Sequence, residues 1–336
     1  MSATRRLGFF TRLLDEGDAG ERYRLAAVQV RHAEAEGFDS AWVAQHHFHA
    51  DEGGLPSPFV FLAQLAGQTS RIRLGTGVVT LPLEQPIRVA EDAAVLDLLS
   101  GGRLELGLGS GGNPDAFAAF GLSDAGRREV FAERLEALLK ALAGKALKGG
   151  DPIYPSRPAL LERLWYATFS AEGGRRAGEL GAGLLLSRTQ PRPAGTPELS
   201  LAAIQEPIIE AYLAALPAGA TPRILASRSV FVTDRRETAW DHAATGLPRF
   251  HARLVRLGRA PAGAPPPLEA LVRRQDVHLG TAEEVVASLR ADPVLRQATD
   301  LAVQVHSVDP PHELTLRSIE LVARQVAPAL GFGRDG

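Results

Sequence analysis

Eight short apolar runs, spaced by helical stretches, constrain this chain more than any other feature. Arg6–Phe10, Asp39–Ala44, Ile72–Leu81, Arg103–Leu108, Leu164–Thr168, Gly183–Leu186, Arg223–Val232 and Leu301–Val305 read as strands. Between and after them the spacing predicts helices at Ala19–Glu36, Ser57–Thr69, Pro86–Ser100, Arg127–Leu142, Ala171–Leu180, Ser200–Leu216, 234–258, Thr281–Arg290 and Glu313–Val326. Even alternation of this kind predicts a parallel α/β fold. The 336 residues suit a (β/α)8 TIM barrel of ~250 residues plus insertions. A doubly wound sheet is the rival, and the even alternation of eight strands favours the barrel. We expect one domain over 1–336, with an irregular insertion or lid over about 188–280. In that stretch Arg188–Pro197 carries three prolines and a glycine, and Arg259–Pro267 is rich in Pro, Ala and Gly.

The stretch from Arg71 to Gly112 is the centre of this pattern. Ile72–Leu81 is apolar and β-branched, as a buried strand requires. Pro86 suits the first turn of the next helix, which places Ile87, Ala90, Ala94, Val95 and Leu98 on one predicted buried face. Arg103–Leu108 then returns as a strand and leaves through glycines.

Composition excludes several classes. There is no cysteine, so disulfides, thiolate metal sites and cysteine nucleophiles are ruled out. A net charge of -2 and a pI near 6.5 give no basic footprint for nucleic acid. The apolar runs fall short of the ~20 residues that span a membrane. Two N-terminal arginines stand without an apolar signal core behind them, so a cytoplasmic location is the expectation.

In a barrel the chemistry sits at the C-terminal strand ends. The second strand ends in Gln45-His46-His47-Phe48-His49. Adjacent imidazoles there offer proton transfer near neutral pH, or metal ligation. The His47-Phe48-His49 pair needs further ligands, and the other strand ends offer only His306 and Asp309, so no metal is expected. Gly107-Leu108-Gly109-Ser110-Gly111-Gly112 fits G-x-G-x-x-G, but Asn113-Pro114 interrupts it and Glu129 and Glu133 fall inside a helix. The glycines are better read as room for a planar ligand. Thr168-Phe169-Ser170-Ala171-Glu172-Gly173-Gly174 is the better anion site, because Ser170 caps a helix whose first N–H groups are free for a phosphate. An ordinary N-cap without a ligand is the alternative. Glu172 would repel a phosphate unless it points away.

Taken together, these residues resemble the bacterial luciferase-like flavin-dependent monooxygenases. The likeness is carried by Glu36-Gly37-Phe38-Asp39-Ser40-Ala41-Trp42-Val43-Ala44-Gln45-His46-His47-Phe48, by Arg73-Leu74-Gly75-Thr76-Gly77-Val78-Val79 and by Pro86-Ile87-Arg88-Val89-Ala90-Glu91-Asp92. Leu96-Asp97-Leu98-Leu99-Ser100-Gly101-Gly102-Arg103 and Phe117-Ala118-Ala119-Phe120-Gly121 add to it. It is dense over 5–121, moderate over 164–187, and faint beyond apart from Gly280-Thr281-Ala282-Glu283-Glu284.

The resemblance implies a (β/α)8 barrel, usually a dimer, that binds FMN at its C-terminal face. Such enzymes take reduced FMN from a separate flavin reductase, react it with O2 and oxygenate a small organic substrate. It implies a cis Gly77–Val78 peptide beneath the isoalloxazine ring, with Gly109-Ser110 nearby. Ser170 would hold the phosphate beside Phe169, and Gly173 falls where the family places a second hydroxyl contact. Ser187 would lie near the ring, and His46 would be the catalytic histidine with His47 beside it. Gln45 stands where luciferase proper has Glu, and Gly109-Ser110 replaces a Cys-Arg pair whose arginine binds phosphate. These changes argue against luminescence and for weaker FMN binding, with Arg175 or Arg176 able to compensate. A deazaflavin (F420)-dependent oxidoreductase on the same barrel, or a flavin-binding protein with little catalysis, are the alternatives.

Overall fold

In the computed structural model, which describes residues 5–333 apart from 194, 197, 257, 259, 261 and 306–309, strand follows helix from end to end. β1 (Arg6–Thr11), α1 (Ala19–Ala35), β2 (Ser40–Val43), α2 (Pro58–Ala66), β3 (Arg73–Thr76) and its continuation β4 (Val79–Thr80) come first. Next are α3 (Pro86–Leu99), β5 (Leu104–Gly109), α4 (Pro114–Ala119), α5 (Arg127–Leu142), β6 (Leu164–Ala167), α6 (Ala171–Glu179) and β7 (Gly183–Leu186). Then α7 (Leu201–Ala215), β8 (Ile224–Val232), α8 (Arg236–Arg256), α9 (Leu268–Arg274), β9 (Val277–Gly280), α10 (Ala282–Arg290), β10 (Asp300–Gln304) and α11 (His312–Leu321) complete the chain. β10 pairs in parallel with both β1 and β8, which closes an eight-stranded TIM barrel.

Side-chain alternation along the strands sorts the core into two layers. Outward residues such as Leu74, Leu104, Leu106, Leu184 and Val303 meet the helices in one large cluster. Inward, two tryptophans fill the barrel, with ring centroids 5.5 Å apart at an interplanar angle of 86°. Trp42 is level with Gly75 on β3, and Trp165 is level with Gly107 on β5 and Gly183 on β7. A side chain at Gly75 or Gly183 would collide with the indole beside it, so small and large residues alternate around the barrel to make one layer. Leu185, Leu225 and Ala302 finish that layer, and Phe10, Val78 and Ala167 lie against it.

Several expectations change in the structure. Ile72–Leu81 is not one strand: a cis Gly77–Val78 peptide divides β3 from β4. Asn113-Pro114 starts a helix rather than breaking the chain, since the Asn113 side chain accepts from Asp115 N at 3.0 Å and Pro114 fills the first helical position. On α3, Ala90 and Ala94 are buried as expected, but Ile87, Val95 and Leu98 are exposed, with Leu99 and with Val60 of the neighbouring α2. The helix is apolar on two sides, with Val89, Ala90, Ala93, Ala94 and Leu96 buried and Ile87, Val95, Leu98 and Leu99 facing out.

Within 188–280, α7 and β8 are regular parts of the barrel, so the departure from alternation is confined to the region after β8. There β9, which the sequence pattern did not predict, pairs with the outer half of β8 from Ser229↔Val277 to Val232↔Gly280. It shares a small separate core with Phe231, Ala243, Leu247 and Leu271. The Thr281–Glu284 capping box opens α10 as predicted. Among the described residues, no helix is long and apolar enough to cross a membrane.

Candidate active site

At the C-terminal mouth of the barrel, the Gly77–Val78 step turns Val78 inward over the two tryptophans. Gly77 N donates to Val43 O at 2.8 Å, which ties the step to β2. A Cβ on Gly77 would stand 2.7 Å from Phe10 Cε2, and one on Gly109 would stand 2.7 Å from Val78 Cγ2. The absent side chains leave Phe10, Val78 and Ala167 as an apolar platform. Ser110 follows Gly109 at the rim, only half-buried.

His46 and His47 follow β2 across this mouth. Arg12, at the end of β1, places Nη2 3.2 Å from His46 Nε2. Because a guanidinium only donates, His46 Nε2 accepts and its proton sits on Nδ1. That Nδ1 is buried and has no partner among the described residues. Arg12 also donates to Glu52 O, and Arg253 of α8 pairs with the Glu52 carboxylate. His47 lies edge-on to Phe120, centroids 5.1 Å apart, with its Nε2 buried and without a partner among the described residues. The first loop, the α4 segment and the region after β8 therefore converge on the two histidines.

Gln45 accounts for the departure noted at its position. Its Nε2 donates to Glu84 Oε1 at 2.6 Å and its Oε1 accepts from Thr80 N at 2.7 Å. A carboxylate there would face the Glu84 carboxylate, whereas an amide bonds both partners and holds the end of β2 to the segment after β4.

At the end of β6, Ser170 caps α6, its Oγ accepting from Gly173 N at 3.2 Å. A side chain at Gly173 would collide with the Thr168 hydroxyl, so Thr168 occupies the place a hydroxyl at 173 would take. Glu172 turns toward Arg175, accepting at 2.6 and 2.9 Å, and Arg175 also pairs with Glu179. Arg175 is thereby spent within its own helix, and Arg176 is the remaining cation on the first turns. Phe169 stands exposed beside Ser170. Ser187, at the end of β7, bonds the Thr189 hydroxyl at 3.2 Å.

The His47-x-His49 pair does not converge: exposed His49 sits 3.5 Å from Asp115, while His47 is packed by Phe48 and Phe120. His306 and Asp309 lie outside the described residues. His32, Glu36 and Glu320 bring ligand atoms within 4.8 Å of one another at the surface of α1 and α11, but Arg324 and Arg317 already bond the two carboxylates.

Sequence reasoning missed Arg12 and Arg188. Arg188, one residue past Ser187, is 7% exposed and folds over the mouth, its Nε donating to Gln304 Oε1 at 2.8 Å and its Nη1 to Ser229 Oγ at 2.9 Å. The available signal was charge: no acidic residue occurs between Glu179 and Glu198 to pair with it.

These surroundings set a pH dependence. Burial, then the guanidinium groups of Arg12 and Arg253, hold His46 well below its ordinary pKa, and burial lowers His47. The unfolded chain takes up protons near pH 6.5 that the native rings refuse, so stability falls as pH drops from 7 toward 5. Melting temperatures from pH 7.5 to 5 will show this decline, with a shallower slope in His46→Gln. An unchanged slope would mean that native His46 protonates normally.

A family profile described as luciferase-like monooxygenase matches residues 7–299. The chain is 33% identical over 326 residues to a 4-hydroxyprotoasukamycin monooxygenase of Streptomyces nodosus subsp. asukaensis, covering 89% of this chain and 85% of that one. Among solved structures, a monooxygenase from Streptomyces bottropensis superposes with a TM-score of 0.78 at 24% identity, covering 96% of this chain and 99% of the other. The FMN complex of the oxygenating constituent of 3,6-diketocamphane monooxygenase from Pseudomonas putida gives 0.72 at 19% identity, over 97% and 98%. At these identities the structural likenesses speak to the fold. The profile and the relative that aligns over most of both chains speak to more: this protein belongs to the luciferase-like monooxygenases.

Proposed function

We propose that the protein is an FMN-dependent monooxygenase that receives reduced flavin from a separate reductase and uses O2 to oxygenate a small organic substrate. The observation that carries this reading is the apolar platform of Phe10, Val78 and Ala167, with Gly77 and Gly109 where side chains would fill it. An isoalloxazine ring fits there, and Ser170, Thr168 and the first N–H groups of α6 suit a phosphate. The FMN complex of the Pseudomonas putida neighbour supports the same cofactor on this fold. Relatives named for 4-hydroxyprotoasukamycin and limonene support a small organic substrate.

Bound reduced FMN supplies the two electrons that activation of O2 requires. The chain's own part is to hold the ring on Val78, to cover it with the His47, Phe48 and Phe120 rim, and to keep His46, its ring fixed by Arg12, as the proton-exchanging group beside it. Assembly as a homodimer through the exposed Val60, Val95, Leu98 and Leu99 surface of α2 and α3 belongs to the same proposal, as does action in the cytoplasm with a soluble reductase.

An anaerobic titration with reduced FMN, followed by an oxygen pulse under absorbance recording, tests the reading. Saturable binding is expected, with a transient distinct from both reduced and oxidised flavin. Binding without a transient would reduce the protein to a flavin carrier. No binding would move the assignment to the deazaflavin F420.

A further inference from the structure

Among the described residues Arg188 makes no ion pair, and the carboxylates that act on Arg12 beside it, Glu52 and Asp51, are paired with Arg253. Arg228, the other deeply buried arginine near by, has Asp292 at 2.6 Å. Arg253 has Glu52 and Asp51. Arg188 has only neutral partners, Gln304 and Ser229, and its Nη2 has no acceptor among the described residues. Arg12 bonds an imidazole and a carbonyl, again neutral. A buried guanidinium without a counter-charge is unfavourable, and a chain of this size has other ways to fill the space.

The neighbouring groups have the same bias. Gln304 is fully buried; its Oε1 accepts from Arg188, while its Nε2 has no partner among the described residues. His46 Nδ1, also unpartnered, carries a proton. Segments far apart in sequence, those after β2 and β7 and the end of β10, thus bring together the donors His46 Nδ1, Arg188 Nη2 and Gln304 Nε2, which have no acceptor among the described residues. Burial and the nearby Arg12 lower Arg188 to about 9, so it remains a cation at neutral pH. The local lack is an anionic oxygen.

We propose that Arg188, assisted by Arg12 and the Gln304 amide, forms an anion subsite at the barrel mouth, and that the substrate enters as a carboxylate, enolate or phenolate held there beside His46. This rests on the monooxygenase reading for its site but not for its test. The reduced flavin ring is itself anionic near N1, so the experiment must separate substrate from flavin.

Calorimetric titration of the flavin-free protein at pH 7.5 with benzoate against benzamide, and with 1,3-cyclohexanedione against cyclohexanone, uses ligands that differ mainly in charge. The anions are expected to bind at least tenfold more tightly than their neutral partners. Arg188→Gln should abolish that preference, Arg12→Gln should reduce it, and Arg188→Lys should restore part of it. Equal binding of charged and neutral ligands would overturn the proposal, as would a preference that survives Arg188→Gln. A variant that keeps the preference but binds reduced FMN tenfold more weakly would assign the guanidinium to the flavin and also overturn it. Because no flavin enters the first arm, failure here leaves the FMN titration standing as a separate result.

Discussion

His46→Gln is expected to lower turnover to oxygenated product by about 10²- to 10⁴-fold, the span typical of losing a positioned acid–base group. Reduced FMN binding should stay within about threefold of wild type, because the effect falls on the chemical step and not on ground-state binding. Arg12 holds the ring through Nε2, which leaves the proton on Nδ1, buried and without another partner. Glutamine still offers Arg12 an acceptor, so the mouth keeps its shape, but it does not exchange a proton near neutral pH. His47→Gln, which removes a ring packed against Phe48 and Phe120, should cost less than His46→Gln. Measured together, oxygen uptake, peroxide release and product distinguish the outcomes. Oxygen uptake that continues while product is replaced by peroxide would show that His46 serves the productive step. Full turnover in His46→Gln would remove it from the chemistry and leave it a buried structural ring.

All eight barrel strands were legible in the sequence, because strands covered on both faces are rich in apolar residues even where Glu105 or Arg228 interrupts them. β9 was not: Val277-His278-Leu279-Gly280 is too short for periodicity and lies beside the outer half of β8 rather than in the barrel. The exposed face of α3 misled for a related reason. Ile87, Val95 and Leu98 look like core in a helical projection, but Val89, Ala90, Ala93 and Leu96 make the contact with the core. At the site, the histidines, Ser170 and the glycines were visible because their residue types and strand-end positions are informative. Arg12 and Arg188 were not, since arginine is the common surface cation of this chain. Their burial arises only when β1, β7, β8 and β10 close around them. The motifs that carry the family resemblance also divide in the structure. His46 and Gly77–Val78 stand at the mouth, whereas Asp97 and Arg103 stand at the opposite end, where α3 turns into β5. Arg103 there donates to the carbonyls of Ser100, Ile72, Ala66 and Thr69 at 2.7 to 3.1 Å.

That opposite end is where the largest loss of stability is expected. The Asp97 side chain is fully buried and accepts from Arg157 at 2.7 and 2.9 Å and from Arg163 at 2.6 and 3.1 Å. Burial alone would push its carboxyl up, and the hydrogen bonds from Arg163 and Arg157 more than offset this, holding it below its ordinary value. One carboxylate therefore ties the end of α3 to the segment that enters β6, across a gap of more than fifty residues in sequence. Asp97→Ala leaves two partly buried guanidinium groups facing each other with no anion between them. Removing one partner of such a cluster costs about 3–5 kcal/mol. At roughly 2 °C per kcal/mol for a chain of this size, the melting temperature should fall by about 6–10 °C. Asp97→Asn, which keeps the shape and some of the acceptors, should fall less. Activity per folded molecule should be unchanged, because the mouth that holds the candidate site lies at the other end of the strands. A melting temperature within about 2 °C of wild type would mean that Arg157 and Arg163 are solvated well enough to need no partner. Intact stability with lost activity would instead connect the two ends of the barrel in a way that these contacts do not.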